Sequence, residues 1–157
     1  MTAIDRTSFD ILRQLTKDAR ISNKELASAV GLAPSSCHER LKHLRSTGVL
    51  RGAHADVDLR SLGIGMEAVI QVELRRHGRA AVEAFIRRVR SAVEVRQILV
   101  VTGRFDVFVQ VAIRDINHLR EVADARFTSD KDVERIETCV IFQSWSDKGR
   151  LPIANVP

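Results

Sequence analysis

The 157-residue sequence has little cysteine and no long apolar run. Its two cysteines, Cys37 and Cys139, lie far apart and both fall within apolar patterns, which favours buried free thiols over a disulfide and fits a reducing compartment. No stretch approaches the roughly 20 apolar residues of a membrane-spanning helix, and the N-terminus lacks the apolar run and cleavage site of a signal peptide. We therefore expect a cytoplasmic protein with no membrane partner.

Signatures of catalysis and of metal binding are also missing. The five histidines show no metal-ligand spacing with one another or with the cysteines. The segment VTGRFD lacks the spaced glycines and the lysine of a phosphate-binding loop. A nucleophilic Cys139 with a distant histidine stays open, but a thiol buried in a strand is ordinarily inert. We expect no catalytic residue, no metal and no cofactor.

The charge balance favours a polyanionic partner. The sequence is 45% hydrophobic and 29% charged, which indicates a soluble globular protein of one or two small domains. The formal net charge is +5 and the pI is about 9.9. Residues 34–51 concentrate this charge, with four cations (Arg40, Lys42, Arg45 and Arg51) against the single carboxylate of Glu39. An acidic partner should bind there.

Residues 22–47, SNKELASAVGLAPSSCHERLKHLRST, have the pattern of two short helices joined by a glycine turn. Ser22 and Glu25 have the spacing of a capping box, and the apolar stripe that follows is Leu26, Ala27 and Val30. Gly31 supplies the permissive backbone of a helix end, and Pro34 suits the first turn of the next helix. This pattern predicts a helix-turn-helix.

The second of these helices predicts one buried and one polar face. Cys37, Leu41 and Leu44 recur at spacings of four and three residues. The outward side chains are Ser35, Ser36, His38, Glu39, Lys42 and His43. Short hydroxyls with imidazole, carboxylate and ammonium groups suit base edges and phosphates in the major groove of double-stranded DNA. Many three-helix units pack in this way without touching nucleic acid, so the pattern alone leaves both interpretations open.

A further helix should begin at Asp5 and pack on these two through Phe9, Ile11, Leu12 and Leu15. We expect residues 1–48 to form a compact three-helix domain. Residues 49–63 are rich in glycine and turn residues without helical periodicity, which predicts a strand-like linker. A second domain is predicted at 64–150, followed by a tail at 151–157.

The second domain alternates between strand and helix periodicity. Residues 66–74 alternate as a half-buried strand, and residues 82–89 have a helical stripe. Two strands, 94–101 and 105–113, form a hairpin around Thr102, Gly103 and Arg104, and Asp115 caps a helix to about Phe127. A last strand covers about 133–145. The order β-α-β-β-α-β predicts a ferredoxin-like α+β domain with two helices on one face of an antiparallel sheet.

The other face of this sheet is predicted to carry apolar residues, namely Val69, Phe108, Cys139, Ile141 and Trp145. Contiguous exposed apolar area usually marks an association surface. Two sheets should therefore pack face to face across a two-fold axis, giving a homodimer. A dimer would also hold two recognition helices at half-sites about one helical turn apart.

With these residues described, the chain resembles the leucine-responsive regulatory protein/AsnC (Lrp/AsnC) family of bacterial and archaeal transcription regulators over nearly its whole length. The segment IDRTSFDIL is similar to the family's L-D-x-x-D-x-x-I-L, the segment ARISNKELASAVGLAPSSCHERLKHLRSTGVLRG to its helix-turn-helix, and VVTGRFDVFV to its ligand-loop hairpin. The resemblance implies a sequence-specific DNA-binding regulator with a C-terminal amino-acid-metabolism regulation (RAM) domain. It also implies dimerisation through the sheet and higher assemblies such as octamers.

The resemblance makes the helix from Pro34 to Thr47 the recognition helix. Its groove-facing set is Ser35, Ser36, His38, Glu39, Lys42 and His43, and the residues implied to neutralise phosphates are Arg40, Arg45 and Arg51. Lys42 suits either role through its direction and charge. Glu39 could instead pair with a neighbouring arginine, and Arg40 or Arg45 could be structural partners. Ala33 replaces the serine usual at this helix cap.

The resemblance also implies an amino-acid effector site at Thr102, Gly103, Arg104, Phe105 and Asp106, with Thr138 on the last strand as a further member. Glycine exposes amides to a carboxylate, and Asp106 could accept hydrogen bonds from an α-ammonium group. Without the resemblance, a turn whose Asp106 satisfies nearby amides is the simpler interpretation. Arg104 and Val107 depart from the family pattern, and Arg104 could pair with Asp106 or bind a ligand carboxylate.

Overall fold

The computed structural model describes residues 4–146 and Leu151, which form two compact units. Of the described residues, the first unit comprises those up to Asp56 together with Trp145, Ser146 and Leu151, and the second is Val57–Ser144. Of the predicted tail 151–157, all but Leu151 lies outside the described residues. No helix within the described ranges is long and apolar enough to cross a membrane.

The first unit contains three helices, α1 (Arg6–Lys17), α2 (Asn23–Ala29) and α3 (Pro34–Ser46). They enclose a small core whose buried members are Ile11, Leu26, Ala27, Cys37, Leu41 and Leu44. The predicted helix-turn-helix is therefore confirmed, including the buried face of α3. Burial of Cys37 raises the pKa of its thiol, so this cysteine behaves as a core residue.

The start of each helix follows from its capping residue. The Asp5 carboxylate accepts a hydrogen bond from the Ser8 amide at the start of α1. Ser22 and Glu25 form the complete capping box of α2. Ala33 gives α3 no side-chain cap, as expected from its methyl group. Gly31 ends α2 with a φ of 70°, a conformation that favours glycine.

The second unit has the predicted β-α-β-β-α-β order. Its strands are β1 (Met66–Leu74), β2 (Val95–Val100), β3 (Val107–Ile113) and β4 (Val133–Ile141), and its helices are α4 (Arg79–Val89) and α5 (Ile116–Ala123). A π-helical turn, Asp124–Thr128, extends α5. The strands lie in the order β2-β3-β1-β4, and every pairing is antiparallel. This is the expected ferredoxin-like arrangement.

Both helices pack on one face of the sheet. Alternate β1 residues from Ala68 to Leu74 point to this face and are buried with Phe85, Leu119 and Phe127. The intervening residues, such as Val69 and its β4 partner Cys139, point to the opposite face. We call the latter the open face of the sheet.

Three details differ from the sequence-based expectation. The strand β4 ends at Ile141, so Trp145 lies beyond the sheet and not on its open face. Cys139 is exposed, not buried, because β4 is an edge strand and this side chain points away from the helices. The predicted strand-like linker forms no strand in the described residues; it contains a 3-10 turn, Arg60–Leu62, whose start is fixed by the Asp58 carboxylate.

Candidate DNA-binding surface and effector turn

Helix α3, the predicted recognition helix, is fixed along one side. Cys37, Leu41 and Leu44 are at most 7% exposed and lie in the core of the unit. At its first residue, the Pro34 carbonyl accepts a hydrogen bond of 2.9 Å from the Asn23 side-chain amide of α2. The core and this bond hold the helix against its neighbours, so its opposite side has a defined direction.

Apart from Arg40, the predicted DNA-binding side chains have no partner within the described chain. Eight of the predicted DNA-binding residues are exposed and make no side-chain hydrogen bond, ion pair or ring contact with residues 4–146 or Leu151: Ser35, Ser36, His38, Glu39, Lys42, His43, Arg45 and Arg51. Since a helix has 3.6 residues per turn, Ser35, Glu39 and Lys42 form one line along it. This line lies opposite the buried stripe. A partner can therefore reach these groups without breaking an existing contact.

Arg40 is the exception among the predicted DNA-binding residues. Its guanidinium Nη1 lies 2.6 Å from Asp5 Oδ2 and donates a hydrogen bond of 3.1 Å to Ser8 Oγ. Of the two roles that the sequence left open for Arg40, this geometry fits a structural partner. Arg40 thereby links α3 to the start of α1.

The second candidate site is the turn 102–106 between β2 and β3, which we call the effector turn. Gly103 has a φ of 129°, a backbone conformation that L side chains rarely adopt. Thr102 and Arg104 are exposed, whereas Phe105 is buried and its ring centroid lies 6.3 Å from that of Phe108. The turn is therefore anchored by one aromatic side chain and presents Thr102, Gly103 and Arg104 to solvent.

Asp106 is already engaged inside the unit. Its Oδ2 accepts a hydrogen bond of 2.8 Å from the Leu74 amide, and its Oδ1 lies 2.9 Å from Nδ1 of His77. Both contacts join the effector turn to the end of β1 and the segment after it. The hydrogen bond and the negative charge of Asp106 raise the pKa of His77 above its ordinary 6.5. Of the two interpretations of Asp106 in the sequence, a ligand partner or an acceptor for nearby amides, these contacts fit the second.

Arg104 forms an ion pair with Glu137 and not with Asp106. Its guanidinium lies 3.3 Å from Glu137 Oε1 on β4, and Arg135 binds the same oxygen at 2.5 Å. Of the two roles that the sequence left open for Arg104, the pair with Asp106 is not formed, because Asp106 turns toward β1. Thr138 pairs with Ile70 in the sheet register, so it points to the helix-covered side while Glu137 points to the open face. The structure does not bring Thr138 to Arg104.

Sequence reasoning missed several residues that shape these sites. Asn23, His77 and Glu137 each fix a predicted site residue through a contact distant in sequence, such as the 29 positions between His77 and Asp106. Periodicity identifies faces of helices and strands, but it does not report pairs formed by tertiary folding. Of these three residues, only Asn23 had a local signal for its contact, namely a polar side chain at the first position of α2.

A three-helix unit with a free polar recognition helix, joined to a ferredoxin-like α+β unit, defines the architecture of a helix-turn-helix regulator. The family model described as winged helix-turn-helix DNA-binding matches residues 4–51. The model described as Lrp/AsnC ligand binding domain matches residues 67–151. The chain belongs to the Lrp/AsnC family, and it is a DNA-binding transcription regulator.

Named relatives agree with this assignment and are transcriptional regulators, not enzymes. The chain is 38% identical to the HTH-type transcriptional regulator AldR of Mycolicibacterium smegmatis over 89% of its own length and 82% of that protein. A transcriptional regulator from Neisseria meningitidis, solved as a complex with L-Met, superimposes with a TM-score of 0.87 at 29% identity, covering 96% and 97% of the two chains. Escherichia coli AsnC superimposes with a TM-score of 0.82 at 26% identity, covering 92% and 98%.

Proposed function

We propose that this regulator binds a specific double-stranded DNA sequence by placing α3 in the major groove. One observation carries the proposal: α3 is fixed on its buried side, while the predicted DNA-binding side chains other than Arg40 have no partner among the described residues. Ser35, Glu39 and Lys42 form the central line, where short hydroxyls allow close approach and the charged groups reach base edges. The flanking side chains are Ser36, His38 and His43.

Arg45 and Arg51 are the proposed phosphate contacts. Both are exposed and have no carboxylate partner in the described chain, so their charges are available to the DNA backbone. The net charge of +5 adds long-range attraction. Because a DNA-binding regulator acts where the chromosome is, and the named relatives are bacterial, we place this protein in the cytoplasm.

We further propose a homodimer formed through the open face of the sheet. Val69 and Phe108 point to this face, and Leu99 beside them is 46% exposed although it is a large apolar side chain. Burial of such residues against a second copy would remove apolar area from water. A two-fold dimer would present two α3 helices to a DNA site with matching symmetry. An octamer stays a prediction from the family resemblance.

We propose that an amino acid bound at the effector turn modulates this regulator. Two findings support this role. Residues 67–151 match a ligand binding domain, and the Neisseria meningitidis protein was solved as a complex with L-Met. The exposed Gly103 backbone and the Arg104 guanidinium are the proposed partners of the ligand carboxylate. Asp106 accepts the α-ammonium group in competition with His77. Thr138 has less support, since it points to the other side of the sheet.

The DNA proposal is tested by selecting duplexes from a random-sequence pool with the wild-type protein. We expect an enriched sequence with a two-fold repeat, and the Lys42→Ala variant should bind it about five- to twentyfold more weakly because a base or phosphate contact is lost. Mobility shifts at fixed salt measure this ratio.

The matched control is Lys131→Ala, which removes the same charge from an exposed position in the turn before β4. It should retain the wild-type affinity. An unchanged affinity for Lys42→Ala would refute the role of Lys42, and equal binding of selected and random DNA would indicate a non-specific DNA-binding protein.

The effector proposal is tested by titration calorimetry of the wild-type protein with each of the twenty amino acids. We expect heat from at least one of them, and weaker binding of that amino acid by Arg104→Gln because a charged partner of the carboxylate is lost. Absence of heat from all twenty would contradict the proposed effector site while leaving the DNA proposal unaffected.

A further inference from the structure

We propose that Arg40 is a positioning residue: it sets the orientation of α3 through the Asp5 carboxylate of α1 and does not contact DNA. This inference rests on the proposed DNA-binding role of α3. It assigns to one cation of the helix a role different from that of Lys42, Arg45 and Arg51. The DNA-binding function itself does not depend on it.

The contacts of Arg40 are short and lie within the three-helix unit. Its Nη1 is 2.6 Å from Asp5 Oδ2 and 3.1 Å from Ser8 Oγ, and Ser8 is buried. The Arg40 side chain retains only 36% of its exposure. A phosphate contact by Arg40 would have to break or share these bonds, whereas Lys42, Arg45 and Arg51 are free to bind at once.

Asp5 is itself held in place by the helix that it caps. Its Oδ1 accepts the Ser8 amide at 2.9 Å, which leaves Oδ2 for Arg40. One carboxylate thus caps α1 and binds α3. Hydrogen bonds from Ser8, with the Arg40 guanidinium beside them, lower the pKa of Asp5 to about 2. Asp5 is therefore ionised at every pH used for DNA binding.

A directional bond at this place adds to the restraint that the apolar core already puts on α3. The packing of Cys37, Leu41 and Leu44 resists rotation of α3 about its axis, and the ion pair between Arg40 and Asp5 opposes the same rotation. Arg40 lies beside this buried stripe, and a fixed guanidinium limits such rotation. Since successive residues on a helix are separated by about 100°, a small rotation moves the whole line of Ser35, Glu39 and Lys42 relative to the bases.

The decisive experiment uses Asp5→Asn, because the two roles of Arg40 predict opposite signs. Asparagine caps a helix about as well as aspartate, so the start of α1 is preserved. If Arg40 positions α3, loss of the Asp5 charge should weaken binding to the selected duplex about three- to tenfold. If Arg40 is a phosphate contact that Asp5 holds back, the same variant should bind more tightly.

The matched control is Asp10→Asn, which removes the same charge from the same helix. Asp10 pairs with Arg13 within α1 and not with α3. We expect it to bind DNA as well as the wild type or slightly better, because a negative charge is lost. Tighter binding by Asp5→Asn than by Asp10→Asn would overturn the proposal.

Arg40→Gln and the double variant with Asp5→Asn complete the test. The double variant should bind no more weakly than Arg40→Gln alone, since both substitutions break one contact. The dependence of log K on log salt should keep the wild-type slope in Arg40→Gln, whereas a lost phosphate contact would reduce it by about 1. A reduced slope or additive effects would refute the positioning role.

Circular dichroism at the binding temperature verifies that each variant is folded. If Asp5→Asn loses helix content, Ser8→Ala replaces it, since this change removes the 3.1 Å contact with Arg40 and the hydroxyl's hydrogen bond to Asp5 but keeps the Ser8 amide that Asp5 caps. It should weaken DNA binding in the same direction. A wild-type protein that does not discriminate the selected duplex would instead refute the proposed function, which is a separate outcome.

Discussion

Apart from Arg40, the predicted DNA-binding side chains of α3 have no partner in the described chain, whereas the effector turn has already paired both of its charged residues. Lys42 and Arg45 extend into solvent from a fixed helix. Asp106 and Arg104 bind Leu74, His77 and Glu137 inside their own unit. The two predicted sites thus differ in what a ligand must displace.

This difference bears on how each site responds to its ligand. DNA can bind α3 without breaking internal contacts, so its affinity depends chiefly on new contacts and on released counterions. If an amino acid binds at the effector turn as proposed, it would compete with Glu137 for Arg104 and with His77 for Asp106. Binding there would weaken the contacts that join the turn to β1 and β4. Through these contacts a ligand could change how the sheets of two subunits associate.

The largest effect is expected from Asp106→Ala. This variant removes the acceptor of the buried Leu74 amide and the partner of His77, so the free energy of unfolding should fall by about 1–3 kcal/mol. Urea denaturation at one fixed chain concentration measures it, because an oligomer's stability depends on concentration.

The control for this variant is Asp106→Asn, whose side-chain oxygen still accepts the Leu74 hydrogen bond. It should lose less stability than Asp106→Ala. If both variants match the wild type, Asp106 is not tied to β1 in solution, and the contrast between the free helix and the paired turn fails.

Much of the fold was predictable because periodicity and caps are local. The capping box of Ser22 and Glu25, the turn at Gly31 and the buried stripe of α3 all depend on residues within one or two turns. The β-α-β-β-α-β order followed from alternation between periods of two and 3.6. Such signals lie in the sequence itself.

The features that the sequence predicted wrongly or left open depend on contacts formed by tertiary folding. Whether Cys139 is buried depends on β4 lying at the edge of the sheet, and the partner of Arg104 depends on β4 reaching the turn between β2 and β3. The sequence left open whether Arg40 contacts DNA or a structural partner, because local pattern does not place Asp5, 35 positions away, beside it. Local sequence patterns do not predict these pairings, because the partners are distant in sequence.

A smaller effect is expected from Ala33→Ser at the uncapped start of α3. A serine hydroxyl can accept a hydrogen bond from a free amide in the first turn, which should raise the free energy of unfolding by about 1 kcal/mol. Thermal or urea unfolding measures it. Since the outward side chains are unchanged, affinity for the selected duplex should stay within about twofold of the wild type. A large change in affinity would mean that the uncapped amides themselves contact DNA.

The smallest effect concerns His77 and depends on pH. Its folded pKa is raised above 6.5 by Asp106, so the ion pair stabilises the fold fully below about pH 6.5 and this contribution is lost as pH rises through the folded pKa. His77→Gln should therefore differ most from the wild type near pH 5.5 and least near pH 8.5, by a small amount because the imidazole is largely exposed.

Urea denaturation of both proteins across this range measures the difference, and His54→Gln serves as the control. His54 is also exposed but has no hydrogen-bond or ion-pair partner in the described residues, so its substitution should give no such trend. A difference for His77→Gln that is constant or grows with pH would show that the proton on His77 does not stabilise the contact. The Asp106 carboxylate would then be held by the Leu74 amide alone, and an arriving ammonium group would compete with one partner of Asp106 instead of two.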